Sequence, residues 1–376
     1  SYVQTVVRLP RSGTTRESNR PPREERRLQS EMTLVHFDDP SDWIGFRHVS
    51  LVDGDKYPDL VGVYVEQGMS VLRVALGDKS GAFGRDMEYA LGREVYGLAV
   101  ADIDPDLAQK DGAEVIIPNF NGAKLQVLSY QGKSLTQKAE YASGMGPIAV
   151  AVAPLGKDAP RPALLSADYI GKTLSVLVPN GQATYTLKTT ALPCQPYRLA
   201  VGYLDRDGYA DVVVSNSGGD SIYVLLGKGD GTFGPPRAYG TGQAPTGLAL
   251  ADVDRDGTVD IVVVNRDEDK ATVLAGRGDG TFGIRGNYVV PGQPVEVRVT
   301  DVDGDGIEDL LFGTQRQGLL QFQHGLGDGQ FRPAQGFPVR STIRALAIGD
   351  INGDRRPDVV TGNTGDYSSV LFNISR

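Results

Sequence analysis

The stretch Asp301-Val-Asp-Gly-Asp-Gly-Ile-Glu-Asp309 sets the pattern for the whole chain. Its first, third, fifth and ninth residues are aspartates, and two unit charges ~4 Å apart repel each other by roughly 4 kcal/mol at an effective dielectric constant near ~20. A hard divalent cation would remove that cost, and Ca²⁺ accepts about 6–8 oxygen ligands. Gly304 and Gly306 supply the backbone freedom that a tight loop requires. The spacing predicts a calcium-binding loop, against the alternative of a solvated acidic turn.

The same spacing recurs along the chain. Together with the first loop, two further copies make three strong candidate sites, whose predicted ligands are Asp252, Asp254, Asp256, Asp260, Asp301, Asp303, Asp305, Asp309, Asp350, Asn352, Asp354 and Asp358. Two copies lack the first carboxylate and retain Asp53, Asp55, Asp59, Asp205, Asp207 and Asp211. An irregular copy begins at Asp102, and around residues 152–163 the acids are replaced by a proline-rich segment. We therefore expect three strong Ca²⁺ sites, up to five or six in all, and none near residue 152.

The copies are regularly spaced, which indicates a repeat architecture. Their first positions fall at 51, 102, about 152, 203, 252, 301 and 350. The clearest unit, residues 247–290, divides into four short apolar segments separated by polar turns, as expected of four strands. Four-stranded units repeated around an axis make a β-propeller. The sequence predicts an all-β fold, a seven-bladed propeller of four-stranded blades.

The two ends of the chain suggest how the ring closes. The last unit supplies three strands, and the lone predicted strand Glu31–Phe37 would be its fourth, which would remove two exposed sheet edges. Residues 1–30 hold seven Arg and three Glu, a net charge of +4. Since the chain carries −9, residues 31–376 carry −13. We expect an arginine-rich extended arm at 1–30 and a propeller at 31–376.

The EF-hand is the main alternative for an Asp-rich loop, and the sequence excludes it. An EF-hand loop needs flanking helices and a bidentate Glu at position 12. Here that position holds Val263, Phe312 or Thr361, and predicted strands flank each loop. A nine-residue loop between strands fits instead, with the backbone carbonyl at position 7 as an expected extra ligand.

Other motifs carry a family resemblance. The sequence Gly-Asp-Gly-Thr-Phe-Gly at 229–234 and 278–283 resembles the Phe-Gly element of FG-GAP repeats. Gly-Gln-Ala-Pro at 242–245, Gly-Gln-Pro at 292–294 and Gly-Pro at 146–147 resemble their Gly-Ala-Pro element. Residues 31–376 are therefore similar to FG-GAP or VCBS-repeat propellers, in the plan of the integrin alpha-subunit head. The resemblance implies seven blades whose Ca²⁺ loops lie on one face.

Three classes of function remain open. The leading interpretation is a noncatalytic, calcium-stabilised interaction module of the cell envelope or exterior, which binds a protein partner. The alternatives are a carbohydrate-binding, lectin-like propeller and a polysaccharide lyase, because propellers of this plan serve all three. His36, His48 and His324 occur in unrelated contexts without metal-ligand spacing, and a lone His in a strand is more often a packing residue.

Charge and hydropathy limit the partners and the location. An acidic body argues against nucleic-acid binding, whereas the positive arm suits an envelope or membrane complex. No apolar run reaches the roughly 18–20 residues of a membrane helix. The chain begins with Ser1 rather than Met, so we expect that a signal or anchor has been removed. These observations favour an extracellular, periplasmic or cell-surface location.

Overall fold

A computed structural model describes residues 4–10, 29–38, 47–50 and 53–373, except positions 54, 56, 67, 79–82, 104–112, 133, 157–158, 160, 182–183, 317, 340–341 and 364–366. Strands make up nearly all of the regular structure there, with one 3₁₀ turn at Arg266–Glu268. No helix within these residues is long and apolar enough to cross a lipid bilayer.

Twenty-nine strands follow one another along the described part of the chain. In order they are β1 Gln4–Pro10, β2 Gln29–Asp38, β3 Arg47–Ser50, β4 Asp59–Glu66, β5 Met69–Gly77, β6 Phe83–Gly92, β7 Ala99–Ala101, β8 Glu114–Asn119, β9 Lys124–Tyr130, β10 Leu135–Ala142, β11 Pro147–Ala153, β12 Ala163–Asp168, β13 Thr173–Asn180, β14 Thr184–Ala191, β15 Leu199–Gly202, β16 Asp211–Ser215, β17 Ser221–Leu225, β18 Arg237–Gly240, β19 Pro245–Ala251, β20 Asp260–Asn265, β21 Lys270–Gly276, β22 Phe282–Val289, β23 Pro294–Thr300, β24 Asp309–Thr314, β25 Leu319–Gln323, β26 Gln335–Pro338, β27 Ile343–Gly349, β28 Asp358–Asn363 and β29 Tyr367–Asn373.

These strands form seven antiparallel sheets, the blades of a propeller. Blades 1 to 6 are β3–β6, β7–β10, β11–β14, β15–β18, β19–β22 and β23–β26, each paired in chain order. The first strand of each blade contacts the first strand of the next, and β27 contacts β3, so the ring is closed. The predicted all-β, seven-bladed propeller of four-stranded blades is confirmed.

The seventh sheet contains strands from both ends of the chain. Its order is β27, β28, β29, β2 and β1. Met32 pairs with Asn373 and Asp38 with Tyr367, while Gln4 pairs with Val35 on the other side of β2. Residues 11–28, which include most of the arm proposed from the sequence, lie outside the described part of the chain.

The core lies between neighbouring blades, and strand periodicity explains how it forms. Every residue of β20 is buried, as expected when both faces of a strand are covered. Ile261 and Val263 pack against blade 4, whereas Val262 and Val264 pack against blade 6. The outermost strand β22 instead alternates between half-buried and exposed residues after Phe282. Each blade therefore depends on its neighbours for burial.

Candidate metal centre

The acidic loops join the first strand of a blade to the second, and their aspartates fold the loop around themselves. In blade 5 the Asp254 carboxylate accepts a hydrogen bond from the Asp256 N–H at 3.2 Å, and the Asp256 carboxylate accepts one from Thr258 N–H at 2.7 Å. The same bonds two residues apart recur in blades 1, 4, 6 and 7. This Asx-turn geometry explains why short acidic side chains alternate in the loop.

The first carboxylate, present in blades 5, 6 and 7, closes the loop further. Asp301 accepts hydrogen bonds from the N–H groups of Gly304, Asp305 and Gly306, at 2.7–3.1 Å. Gly304 and Gly306 have φ values of 77° and 81°, in the left-handed region that favours glycine. In blade 5 the same two positions hold Arg255, with φ 64°, and Gly257, with φ 85°.

The ninth carboxylate fastens the loop to the rest of its blade. Asp309 is fully buried, and its two oxygens accept hydrogen bonds from Val302 N–H at 3.0 Å and Gly325 N–H at 2.9 Å. Asp211, Asp260 and Asp358 make the equivalent pair of bonds in their own blades, and Asp59 accepts from Gly77 N–H and, at 3.4 Å, from Asp53 N–H. A Cβ at Gly325 would lie 2.2 Å from the Glu308 carbonyl oxygen, so blade 6 needs glycine at this position, where blade 7 has Asn373. Position 9 is thus structural as well as a candidate ligand.

Burial shifts the titration of these carboxylates. Desolvation raises the pKa of Asp211, Asp260 and Asp358 to about 6, although the backbone N–H donors to each carboxylate act in the opposite direction. Neighbouring acids contribute to the rise, Asp254 for Asp260 and Asp354 for Asp358. A bound cation would reverse these shifts because it favours the ionised form.

Two loops bring three carboxylates close together. The ligand oxygens of Asp252, Asp254 and Asp260 lie within 4.8 Å of one another, and so do those of Asp301, Asp303 and Asp309. Asp254 is also contacted by the guanidinium of Arg285, whose other nitrogen donates to the Asp328 carbonyl at 2.9 Å. The donor set is all oxygen apart from that contact, which fits a hard cation such as Ca²⁺.

Blade 6 has a further group that the sequence analysis missed. The His324 side chain comes from the end of β25 and lies among the loop carboxylates, with Nδ1 3.0 Å from Asp309 Oδ1 and 3.5 Å from Asp303 Oδ2. Asp303, Asp305 and His324 form another group of potential ligands within 4.8 Å. In the sequence His324 has no metal-ligand spacing, whereas the structure brings its side chain to the carboxylates of this loop. Aligning the repeats on Gly276 and Gly325 would have found it, because Ala275 occupies the same position in blade 5.

The other predicted ligands are less closely grouped. In blade 7, Asp350 wraps its loop as Asp301 does, but Asn352 takes the third position and the described carboxylates do not gather to the same degree. In blades 1 and 4, Asp53, Asp55, Asp205 and Asp207 lie on the loop while Asp59 and Asp211 fasten it. In blade 2, Glu114 accepts from Ile103 N–H at 3.1 Å and pairs with Lys138 at 2.6 Å.

The opposite face of the ring carries an aromatic surface across blades 2 to 4. We define it as Tyr96, Phe120, Met145, Tyr169, Ile170 and Tyr197, which lie in second-to-third strand hairpins or blade-to-blade connections. Three of these tyrosines, 96, 169 and 197, pack on one small cluster of buried residues. Tyr96 and Phe120 meet edge to face at 5.4 Å. Met145 is 61% exposed and Ile170 50% exposed.

The repeats match a known family model. Residues 203–263, 252–312 and 301–361 each match the FG-GAP-like repeat, so this part of the chain consists of three consecutive FG-GAP-like repeats. These matches begin at the first positions of the loops in blades 4, 5 and 6. The resemblance inferred from the Phe-Gly, Gly-Ala-Pro and Asp-loop motifs is confirmed. No curated protein matches the sequence.

Solved structures share the fold at low sequence identity. The BBS1N chain, solved in complex with ARL6DN, is 14% identical with a TM-score of 0.64, over 89% of this chain and 95% of that one. A functionally unknown protein from Desulfotomaculum acetoxidans DSM 771 is 13% identical with a TM-score of 0.60, over 82% and 94%. An Agrocybe aegerita lectin specific for non-reducing terminal N-acetylglucosamine is 16% identical with a TM-score of 0.51, over 82% and 91%. At these identities the similarity establishes the fold alone.

Proposed function

We propose that the chain is a noncatalytic, calcium-stabilised propeller that binds a protein partner through its aromatic surface, at the cell envelope or exterior. The observation that carries the proposal is the composition of that surface. Tyrosine, phenylalanine and methionine are enriched where proteins bind one another. Here four aromatic side chains lie on one face of the ring together with the exposed Met145 and Ile170. The complex of BBS1N with ARL6DN is a precedent for a protein partner on this fold.

The acidic loops have a supporting role in this proposal. They lie at the other ends of the strands, so their Ca²⁺ ions would rigidify the blades without touching the partner. Extracellular calcium modules bind with dissociation constants of about 10⁻⁴–10⁻³ M. At a concentration tenfold above such a constant, each site would stabilise the fold by roughly 1.4 kcal/mol. Chelation should therefore lower the melting temperature, and an unchanged melting curve would contradict the calcium part of the proposal.

The arm is proposed to add a second contact with the partner. Residues 1–30 carry a net charge of +4 beside a propeller of −13, and opposite charges steer association. An acidic protein in an envelope complex fits both the arm and the aromatic surface.

The experiment uses the full chain as bait. The chain is incubated with envelope proteins, bound proteins are cross-linked to it, and the cross-linked complexes are then captured. The variant Met145→Glu, Ile170→Glu should abolish capture of the specific partner, because two charges would be buried at the contact. The matched control is Ile284→Glu, since Ile284 is 59% exposed on an outer strand away from this face. Equal capture by all three proteins would overturn the assignment of the surface. Binding to an isolated glycan on an array, with no protein captured, would favour the lectin alternative instead.

A further inference from the structure

The acidic loop of blade 6 differs from the others because a nitrogen-bearing side chain, that of His324, lies beside its carboxylates. In each of these blades, one residue directly precedes the residue that donates its N–H to the ninth carboxylate. Across the five acidic loops that the structure describes, blades 1, 4, 5, 6 and 7, this position holds Leu76, Leu226, Ala275, His324 and Phe372. Only blade 6 offers nitrogen here, so its site is chemically distinct.

His324 is buried, and burying an imidazole without partners for its nitrogens is unfavourable. The side chain is 3% exposed, its Nδ1 lies 3.0 Å from Asp309 Oδ1, and among the described residues Nε2 has no hydrogen-bond partner. Buried polar side-chain atoms nearly always have a partner. Nε2 lies 3.8 Å from Asp305 Oδ2, and Nδ1 lies 3.5 Å from Asp303 Oδ2. Each of the three residues can supply one ligand atom, and these atoms lie within 4.8 Å of one another, so a single ring nitrogen and the two carboxylates can be gathered around one ion.

The donor set points to a class of metal. Ca²⁺ is bound by oxygen ligands, whereas imidazole together with carboxylates suits zinc, iron and related ions. We infer that blade 6 holds a divalent transition-metal ion, for which Zn²⁺ is the probe, through the His324 imidazole and the carboxylates of Asp303 and Asp305. This inference rests on the proposed function only in treating the acidic loops as cation sites.

Blade 5 shows what the same loop looks like without the nitrogen. Ala275 stands in place of His324, and the Arg285 guanidinium contacts Asp254, the counterpart of Asp303. Ala334 occupies the position of Arg285 in blade 6. In blade 5 the Arg285 guanidinium partly neutralises the loop carboxylates, and the remaining ligands are all oxygen atoms, which favours Ca²⁺. In blade 6 the site lacks the arginine and gains an imidazole.

The test measures Zn²⁺ binding to the full chain by calorimetry, after bound metal has been stripped with chelator. The buffer contains about 10⁻³ M Ca²⁺, which is about 5-fold to 10-fold above the lower dissociation constants of extracellular Ca²⁺ sites. We expect one Zn²⁺ site that Ca²⁺ does not displace. His324→Ala should weaken that site by at least about 100-fold, because losing a direct ligand costs more than losing a partner of the ligand. In the wild-type chain, NMR of the three histidines should show one imidazole shifted by Zn²⁺, and His324→Gln should remove that signal.

Two controls keep the test decisive. His48→Gln should leave Zn²⁺ binding unchanged, and the pair Ala275→His, Arg285→Ala should create a second Zn²⁺ site in blade 5 even where His324→Ala proves unstable. Zn²⁺ binding that survives in His324→Ala, or no Zn²⁺ site beside normal Ca²⁺ binding, would overturn the inference and leave the calcium proposal intact. Binding of neither ion would overturn both.

Discussion

Asp260 illustrates, at the scale of one residue, the double use of the ninth carboxylate. It is buried and accepts hydrogen bonds from Val253 N–H at 3.1 Å and Gly276 N–H at 2.8 Å. Asp260→Ala would leave two buried donors unpaired, at about 1–3 kcal/mol each. We expect a loss of about 2–5 kcal/mol in urea unfolding even with chelator present. Asp254→Ala, the control, removes only partly exposed contacts with Asp256 N–H and Arg285, so it should cost clearly more stability with Ca²⁺ than with chelator. An equal loss in both conditions would contradict this division of roles.

The raised pKa values near 6 of Asp211, Asp260 and Asp358 predict a pH dependence. Unfolded aspartates titrate near ~4, so the folded chain binds more protons than the unfolded chain between about pH 4 and 6. The stability that these groups contribute is therefore complete below about pH 4 and is lost as the pH rises through about 6.

The measurement is urea unfolding at several pH values between about 4 and 7, with chelator. The wild-type protein should lose more stability across this range than the triple variant Asp211→Asn, Asp260→Asn, Asp358→Asn, whose amides do not titrate. Parallel curves for the two proteins would show that the three carboxylates titrate normally. Added Ca²⁺ should flatten the wild-type curve, because it binds the ionised form.

Single residues also mark the limit of what the sequence predicts. The loop carboxylates could be found because the ligand spacing lies within nine consecutive residues. His324 could not be found in that way, because it lies 15 positions beyond Asp309 and reaches the loop only through strand pairing. The structural role of the ninth aspartate was missed for the same reason, since its donor Gly276 belongs to another strand.

At the scale of the loop, backbone conformation separates the copies. Arg255 has φ 64° where the equivalent residue of blade 6 is Gly304, and a non-glycine residue in this region costs roughly 1–2 kcal/mol. Arg255→Gly should therefore stabilise the chain by about 0.5–1 kcal/mol, after allowance for the greater freedom of glycine in the unfolded state. Chemical denaturation measures the change, and Arg255→Ala is the control. A gain with alanine as well would show that charge, rather than φ, is responsible.

The strands themselves were predictable where their pattern is local. The continuous apolar run Ile261–Val264 predicted a strand covered on both faces, and β20 is buried throughout. The last strand of the same blade, β22, begins at Phe282, shortly after the Gly-Asp-Gly turn. Its first residues pair with Gly276 and Ala275 around the Gly-Asp-Gly turn, and a bulge at Val273 and Leu274 restores the register. A bulge leaves no signal in the alternation of side chains, so the residue at which β22 begins cannot be predicted from the sequence.

At the scale of the whole molecule, the number of repeats predicted seven blades. In a closed ring each blade packs against two neighbours through the same two faces, so the sequence pattern of those faces recurs in every blade. The first strands contact one another in order around the ring. The inward edge of each blade is thus fixed by repetition. The face opposite the acidic loops depends instead on individual residues such as Met145 and Ile170, which no repeat predicts.

The seventh sheet gives the last prediction. There β2 lies between β29 and β1, and β1 forms the outer edge. Deleting residues 1–28 removes β1 but leaves β2 paired with β29, so the chain should remain monodisperse and keep its melting temperature within a few degrees while losing its partner. Deleting residues 1–40 also removes β2 and exposes the edge of β29, an arrangement that promotes aggregation or strand exchange. Size-exclusion chromatography with light scattering distinguishes the two. A sharp fall in melting temperature after the shorter deletion would place the first 28 residues within the folded core, and a monomeric product of the longer one would exclude closure by β2.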